Sequence, residues 1–167
     1  MTGIITDNVG RSGGLIKAAG GGGKILQVVS ATESTERSTT STSFVDLTFE
    51  ASITPTLASS KIFVILSGTL TVSTSQGSAY VTIYRTISGG SAANLSAQTN
   101  GFTGAGVVGD SPTNTEKVPL HIGYMDSPST TSACTYELYG KAQSGKTCKV
   151  NNGGDYVTSF ILFEVGA

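Results

Sequence analysis

The chain has no tryptophan, one histidine, two cysteines, two methionines and four prolines in 167 residues. Each scarcity removes a class of protein. Two cysteines, Cys134 and Cys148, cannot form the disulfide framework of a small secreted domain, and one histidine supplies too few ligands for a histidine-rich metal site. They read instead as two small core or strand residues. Charge is sparse as well: Asp, Glu, Lys and Arg make up 13% of the chain, with 10 basic against 11 acidic residues. That balance gives no electrostatic footprint for nucleic acid. The longest wholly apolar run, Ile62–Leu66, is far too short to cross a bilayer as a helix. No charged segment followed by an apolar stretch opens the chain, so no secretory signal is expected. With 38% hydrophobic residues and a net charge of −1, the composition is not that of a disordered chain. Four prolines and glycines without a three-residue period exclude collagen.

What the sequence has in excess is Gly, Ser and Thr, at 22, 22 and 24 residues. Glycine gathers near the N-terminus, in Gly10–Gly14 and Gly20–Gly23. Residues 1–23 have no sustained periodicity and cannot make a core, but they carry apolar points at Ile4, Ile5, Val9, Leu15 and Ile16. They read as a flexible tether or as an anchoring arm that orders against a partner, preceding a single domain over 24–167.

From Lys24 the period is two. Ile62, Val64, Leu66, Leu70 and Val72 share one parity, with Ser67, Thr69, Thr71 and Ser73 on the other. Val118, Leu120, Ile122 and Tyr124 alternate with Lys117, Pro119, His121 and Gly123; Cys134, Tyr136 and Leu138 alternate with Thr135, Glu137 and Tyr139. Phe160–Phe163 is apolar on both parities, as for a strand covered on both faces. The pattern predicts an all-β, antiparallel β-sandwich or jelly roll of about eight strands behind the extended arm. The strands are placed near 24–31, 43–49, 50–54, 60–73, 78–87, 102–108, 115–125, 132–142, 146–151 and 156–166, the shortest being uncertain. Pro119 within a strand predicts a bulge or an edge. Outward faces of Ser and Thr bring little charge to protect sheet edges, so cover by identical subunits is expected.

Three patterns imitate catalytic motifs. Gly140–Thr147 matches the phosphate loop G-x-x-x-x-G-K-[ST], but no helix follows, and the segment reads as a hairpin turning at Gln143–Lys146. Gly104–Gly109 matches G-x-G-x-x-G, but Asp110-Ser111-Pro112 ends it, leaving a glycine-rich loop or bulged strand. Gly10–Gly14 matches the nucleophile elbow G-x-S-x-G without a preceding strand. His121 reads as an exposed or interface residue. The carboxylates Glu116, Asp126, Glu137, Asp155 and Glu164 are scattered, and Asn94-Leu95-Ser96 is a glycosylation sequon by pattern alone. No catalytic, cofactor-binding or metal site is expected. Tyr80 and Tyr84 share a strand parity, suited to a subunit contact or to stacking on a sugar.

The order of several blocks resembles a known group. Gly22–Ser30 is followed by Ser41–Leu47, Ser52–Pro55, Ser59–Ile62, Val81–Arg85, Asp126–Ser129, Thr135–Tyr136 and Phe160–Val165. This is similar to small β-sandwich virion proteins of tailed bacteriophages, found in tail-fibre ends and capsid appendages. The resemblance covers about 24–167 and carries no catalytic residues. It implies a non-enzymatic structural protein on the virion surface, with itself (as a homotrimer) and the major capsid protein or another virion protein as partners. No nucleic acid, membrane or cofactor is implied. With only some 23 residues before the domain, the plan is closer to a capsid decoration (cement) protein or short appendage than to a long fibre. The alternative is a receptor-binding domain that recognises host glycan through its tyrosines and loop residues 88–113.

Overall fold

The computed structural model describes residues 24–73, 77–107 and 115–166. The two-residue period becomes strands throughout. They are β1 (Ile25–Glu33), β2 (Arg37–Thr39), β3 (Val45–Ile53), β4 (Lys61–Ser73), β5 (Gly77–Ile87), β6 (Ala93–Asn94), β7 (Thr103–Val107), β8 (Thr115–Asp126), β9 (Cys134–Ala142), β10 (Thr147–Val150) and β11 (Thr158–Val165), with a short 3-10 turn at Asn152–Gly154.

Two antiparallel sheets face each other. In the first, β1 pairs with β11, β11 with β4, and β4 with β8; β10 continues along β4 beyond β11 and pairs in turn with β2. In the second, β3 pairs with β9, β9 with β5, and β5 with β7 and β6. Five of the pairings are nested: β1 with β11, β2 with β10, β3 with β9, β4 with β8, and β5 with β7. The chain therefore follows the path of one long hairpin wrapped into two layers. This is a jelly roll.

Between the layers lie the inward residues. Ile62, Val64, Leu66, Leu70 and Val72 of β4 meet Val81 and Ile83 of β5, Tyr136 and Leu138 of β9, and Phe160 and Leu162 of β11, all fully buried. At about 1.5–3 kcal/mol for each large apolar side chain, this layer supplies the main drive to fold. Phe49 and Phe160 join the sheets through rings 5.2 Å apart. Cys134 and Cys148 are buried free thiols in the same core, in line with their reading as small core or strand residues. Burial pushes the Cys148 thiol up to about 12.

Several local expectations needed correction. The segments expected at 43–49 and 50–54 are one strand, β3, irregular between Asp46 and Glu50, where Thr48 adopts φ 57° and donates its amide to Asp46 Oδ1 at 2.7 Å. The turn at Gln143–Lys146 forms, closed by the Lys146 amide on the Gln143 carbonyl at 2.9 Å, but it does not make a hairpin. Strand β9 belongs to the second sheet and β10 to the first, so the turn carries the chain across the sandwich. The reason is inward burial on both sides: Ala142 and Cys148 each face the core from a different layer. Gly104–Val107 forms regular pairs with β5 and no bulge. Pro119 lies on β8, which among the described residues is hydrogen-bonded only to β4 and so forms an edge of the described sheet. The motif at Gly10–Gly14 and the arm residues Ile4, Ile5, Val9, Leu15 and Ile16 lie outside the described residues.

Candidate functional site

The outward face of the first sheet departs from the Ser/Thr surface that the sequence suggested. Register places Val28 of β1, Phe163 of β11, Phe63 of β4 and Met125 of β8 directly opposite one another. The adjacent row is Ser30, Ile161, Ile65 and Gly123. Phe63 and Phe163 stand 6.4 Å apart at 33°. Val28 is 53% exposed and Met125 45%, and the phenylalanines and isoleucines between them are half-buried. An irregularity in β1 between Ile25 and Gln27 pairs Ile25 with Val165, so Ile25, 55% exposed, joins the same face despite a three-residue step from Val28. Further along the strands the surface becomes polar, with Thr32, Ser159, Ser67 and His121 in one row. An apolar patch thus crosses all four strands at one end of the sheet. Uncovered, such a patch favours association.

Two buried polar clusters cross-link the strands at this end. Glu164, fully buried on β11, accepts Gln27 Nε2 at 2.7 Å on one oxygen, and the Thr56 amide and hydroxyl, both at 2.7 Å, on the other. Gln27 also donates to the Thr54 carbonyl at 2.7 Å. Edge strand β1 and the segment after β3 are thereby tied to β11. Burial alone would raise the Glu164 carboxyl, but the donors, Gln27 foremost, hold it down at about 2. The second cluster joins the layers. Asp126, the last residue of β8, accepts Arg85 Nη1 at 2.8 and 2.7 Å and the Tyr136 hydroxyl at 2.8 Å. Burial disfavours the Arg85 charge, yet Asp126 outweighs it and raises the guanidinium further above its ordinary range. Burial, with Asp126 adjacent, pushes the Tyr136 hydroxyl strongly upward.

The carboxylates that could have served catalysis are largely bonded to the fold. Glu137 accepts from Thr86 at 2.7 Å, Glu36 pairs with Lys149 at 3.0 Å, and Glu33 pairs with Arg37. Among the described residues, no three His, Cys, Asp or Glu side chains form a group able to hold a metal ion. His121 is exposed on the outer face of β8, its Nδ1 3.1 Å from Ser67 Oγ. Asn94 of the sequon is half-buried, and its Oδ1 accepts from Thr82 and from the amide and hydroxyl of Ser96.

Tyr80 and Tyr84 are half-buried on the outer face of the second sheet, and each has an intramolecular partner. Tyr84 stacks on Tyr139 with centroids 3.9 Å apart. The Tyr80 ring lies over Gly104, where an added Cβ would stand 2.6 Å from it, and Lys141 Nζ sits 5.1 Å from its centroid. Beside Tyr80, Ser78, Asn100, Thr103 and Gly104 help line an open groove of about 310 Å³.

The apolar patch itself was missed by motif reasoning. Its signal was present in two runs, Ile62–Leu66 and Phe160–Phe163, that are apolar on both parities.

No family model matches the chain, and no curated protein does. Among solved structures, it is similar to one described as the infectious bursal disease virus Gx strain, with 17% identity and a TM-score of 0.39 over 84% of this chain and 37% of that one. The Gt strain structure gives 14% identity and a TM-score of 0.40 over 86% and 39%. The VP2 subviral particle of the same virus gives 16% and 0.39 over 83% and 39%. This chain thus spans less than two fifths of those chains, and similarity at this level carries no argument about function.

Proposed function

We propose that this chain is a non-enzymatic structural subunit of a bacteriophage virion, a trimeric capsid decoration protein or short appendage at the particle surface. The observation that supports it best is the apolar patch of Val28, Phe63, Met125, Ile161 and Phe163 on an otherwise Ser- and Thr-rich sandwich. A surface of this kind suits burial against another protein. The order of sequence blocks shared with phage β-sandwich proteins supplies the virion context. In this reading the N-terminal arm anchors the subunit, Ile4, Ile5, Val9, Leu15 and Ile16 filling grooves on the major capsid protein or a neighbouring virion protein.

Gold-labelled antibody against the chain is expected to decorate intact virions, and native mass measurement to give three copies. Absence of the chain from purified particles overturns the reading. A second reading, host glycan recognition, draws on the open groove beside Tyr80. A glycan array probed with the purified protein tests it, and binding that survives removal of the groove's Asn100 and Tyr80 side chains counts against it.

A further inference from the structure

We infer that strand β1 is a self-pairing edge: β1 of a second copy of this chain adds to it antiparallel, about a two-fold axis at Ser30. The inference goes beyond the virion reading and does not depend on it.

The sheet edges differ in how they are guarded. Among the described residues β1, β2, β3, β6, β7 and β8 each pair with a single neighbour. Strands β2, β6 and β7 are only three, two and five residues long. Strand β3 is irregular between two exposed carboxylates, Asp46 and Glu50. Strand β8 carries Pro119 between Lys117 and His121. Brevity, irregularity, charge and proline are the devices that block pairing between edges. Over Gln27–Glu33, β1 has no proline and a regular register with β11, and its one charge, Glu33 at the end, is paired with Arg37. The core is also open beside it. Val29 and Ala31 turn inward and pack on the core, yet both are only half-buried.

The strand's own sequence points to its occupant. Its seven regular residues, paired antiparallel with themselves, centre on Ser30. Ser30 then faces Ser30 of the other copy, Val29 faces Ala31, Val28 faces Thr32 and Gln27 faces Glu33. Hydroxyl meets hydroxyl on the axis, a large side chain meets a small one on the inward face, and two β-branched side chains meet on the outward face. No like charges stand opposite each other. The contact is isologous and closes at two copies, because a paired β1 is no longer an edge. In a trimer it joins a subunit of one trimer to a subunit of another.

Area gives the pairing a consequence. Four strands at about 4.8 Å and three rows at about 6.7 Å make the apolar patch roughly 400 Å². That is about half of the ~800 Å² that a standard interface buries on each partner. The two-fold axis stands normal to the sheet, so both patches fall on the same outer face of one eight-stranded sheet, four strands from each copy. Together they reach the standard size.

Amide hydrogen exchange on the isotope-labelled full chain tests this. A strand bonded on one side alternates slow and fast amides, since every second N–H points away from its neighbour. At high protein concentration all the amides of Gln27–Glu33 should be slow. Ser30→Lys, an exposed change that sets two ammonium groups together on the axis, should return the alternation while the β4 amides stay protected. In a mixture of labelled and unlabelled chains, magnetisation transfer between copies should connect Ser30 to Ser30. Alternation in the wild type at every concentration overturns the inference. So does protection of the whole strand that survives both dilution and Ser30→Lys, which places the cover within one chain, and so does transfer from β1 to a different strand of the other copy. None of these readouts involves particles, so failure of the virion reading and failure of this one are distinguishable.

Discussion

Replacing Asp126 tests whether the two layers are fastened where the Arg85–Asp126–Tyr136 cluster suggests. The Asp126 side chain is 7% exposed and accepts three hydrogen bonds, two from Arg85 and one from Tyr136. Asp126→Asn keeps the shape but removes the charge, leaving the guanidinium largely buried at 19% exposure with its Nε already without a partner. Breaking a buried pair from one side costs about 3–5 kcal/mol. Partial exposure of Arg85 places the expected loss toward the lower end, about 3 kcal/mol, since solvent recovers some of the charge. For a chain of this size that corresponds to a fall in Tm of roughly 6–12 °C. Urea unfolding monitored by tyrosine fluorescence measures it directly. The decisive comparison is the double variant Arg85→Met with Asp126→Leu, which removes both charges together. It should recover much of the stability lost in Asp126→Asn, because no unpaired charge remains. An Asp126→Asn protein within about 1 kcal/mol of the wild type refutes the reasoning, as that change is no larger than an average point substitution produces.

Two further outcomes follow from local geometry. Glu164 and Glu33 are each held at about 2, below their ordinary 4.5, so the stability they contribute is present above pH 4.5 and lost as pH falls through about 2. Glu164→Gln should flatten the fall in urea midpoint between pH 4.5 and 2, and an unchanged acid profile would count against the Gln27–Glu164–Thr56 cluster. At Gly68 a Cβ would stand 2.2 Å from Thr158 Oγ1, which is itself held by a 2.6 Å bond to Asn151 Oδ1. Gly68→Ala should therefore cost about 1–3 kcal/mol in thermal or urea unfolding, the range for overpacking, and a neutral result would mean that Thr158 can move.

The catalytic look-alikes owe their appearance to composition. A chain with 22 glycines and 46 serines and threonines will place glycines at motif spacing without the strand-to-helix turn that the chemistry needs. At Gly140–Thr147 the backbone instead passes between layers, and at Gly104 the absent side chain makes room for the Tyr80 ring. Sequence alone had excluded the phosphate loop for lack of a helix, but not foreseen the crossing. A hairpin and an inter-sheet turn share the same local signals, and only the burial of both flanks in opposite layers separates them.

What the sequence by itself determined is local. Alternation placed the main strands close to their observed limits, and the parity of Ile62, Val64, Leu66, Leu70 and Val72 selected side chains that are fully buried. This works because a strand turns successive side chains to opposite faces whatever its neighbours are. Pro119, with no amide to give, likewise pointed to a bulge or an edge, and the register of β8 with β4 made it the edge. The nested pairing, the position of β10 beside β4, and the bonds that hold Asp126 and Glu164 all join residues far apart in the chain, and no periodicity encodes them. The apolar patch lies between these cases. Each of its residues could be read as a minor-parity member of an apolar run, but their alignment into one surface depends on the register of four strands. Tertiary structure decided that register, and with it which apolar side chains share one outward face.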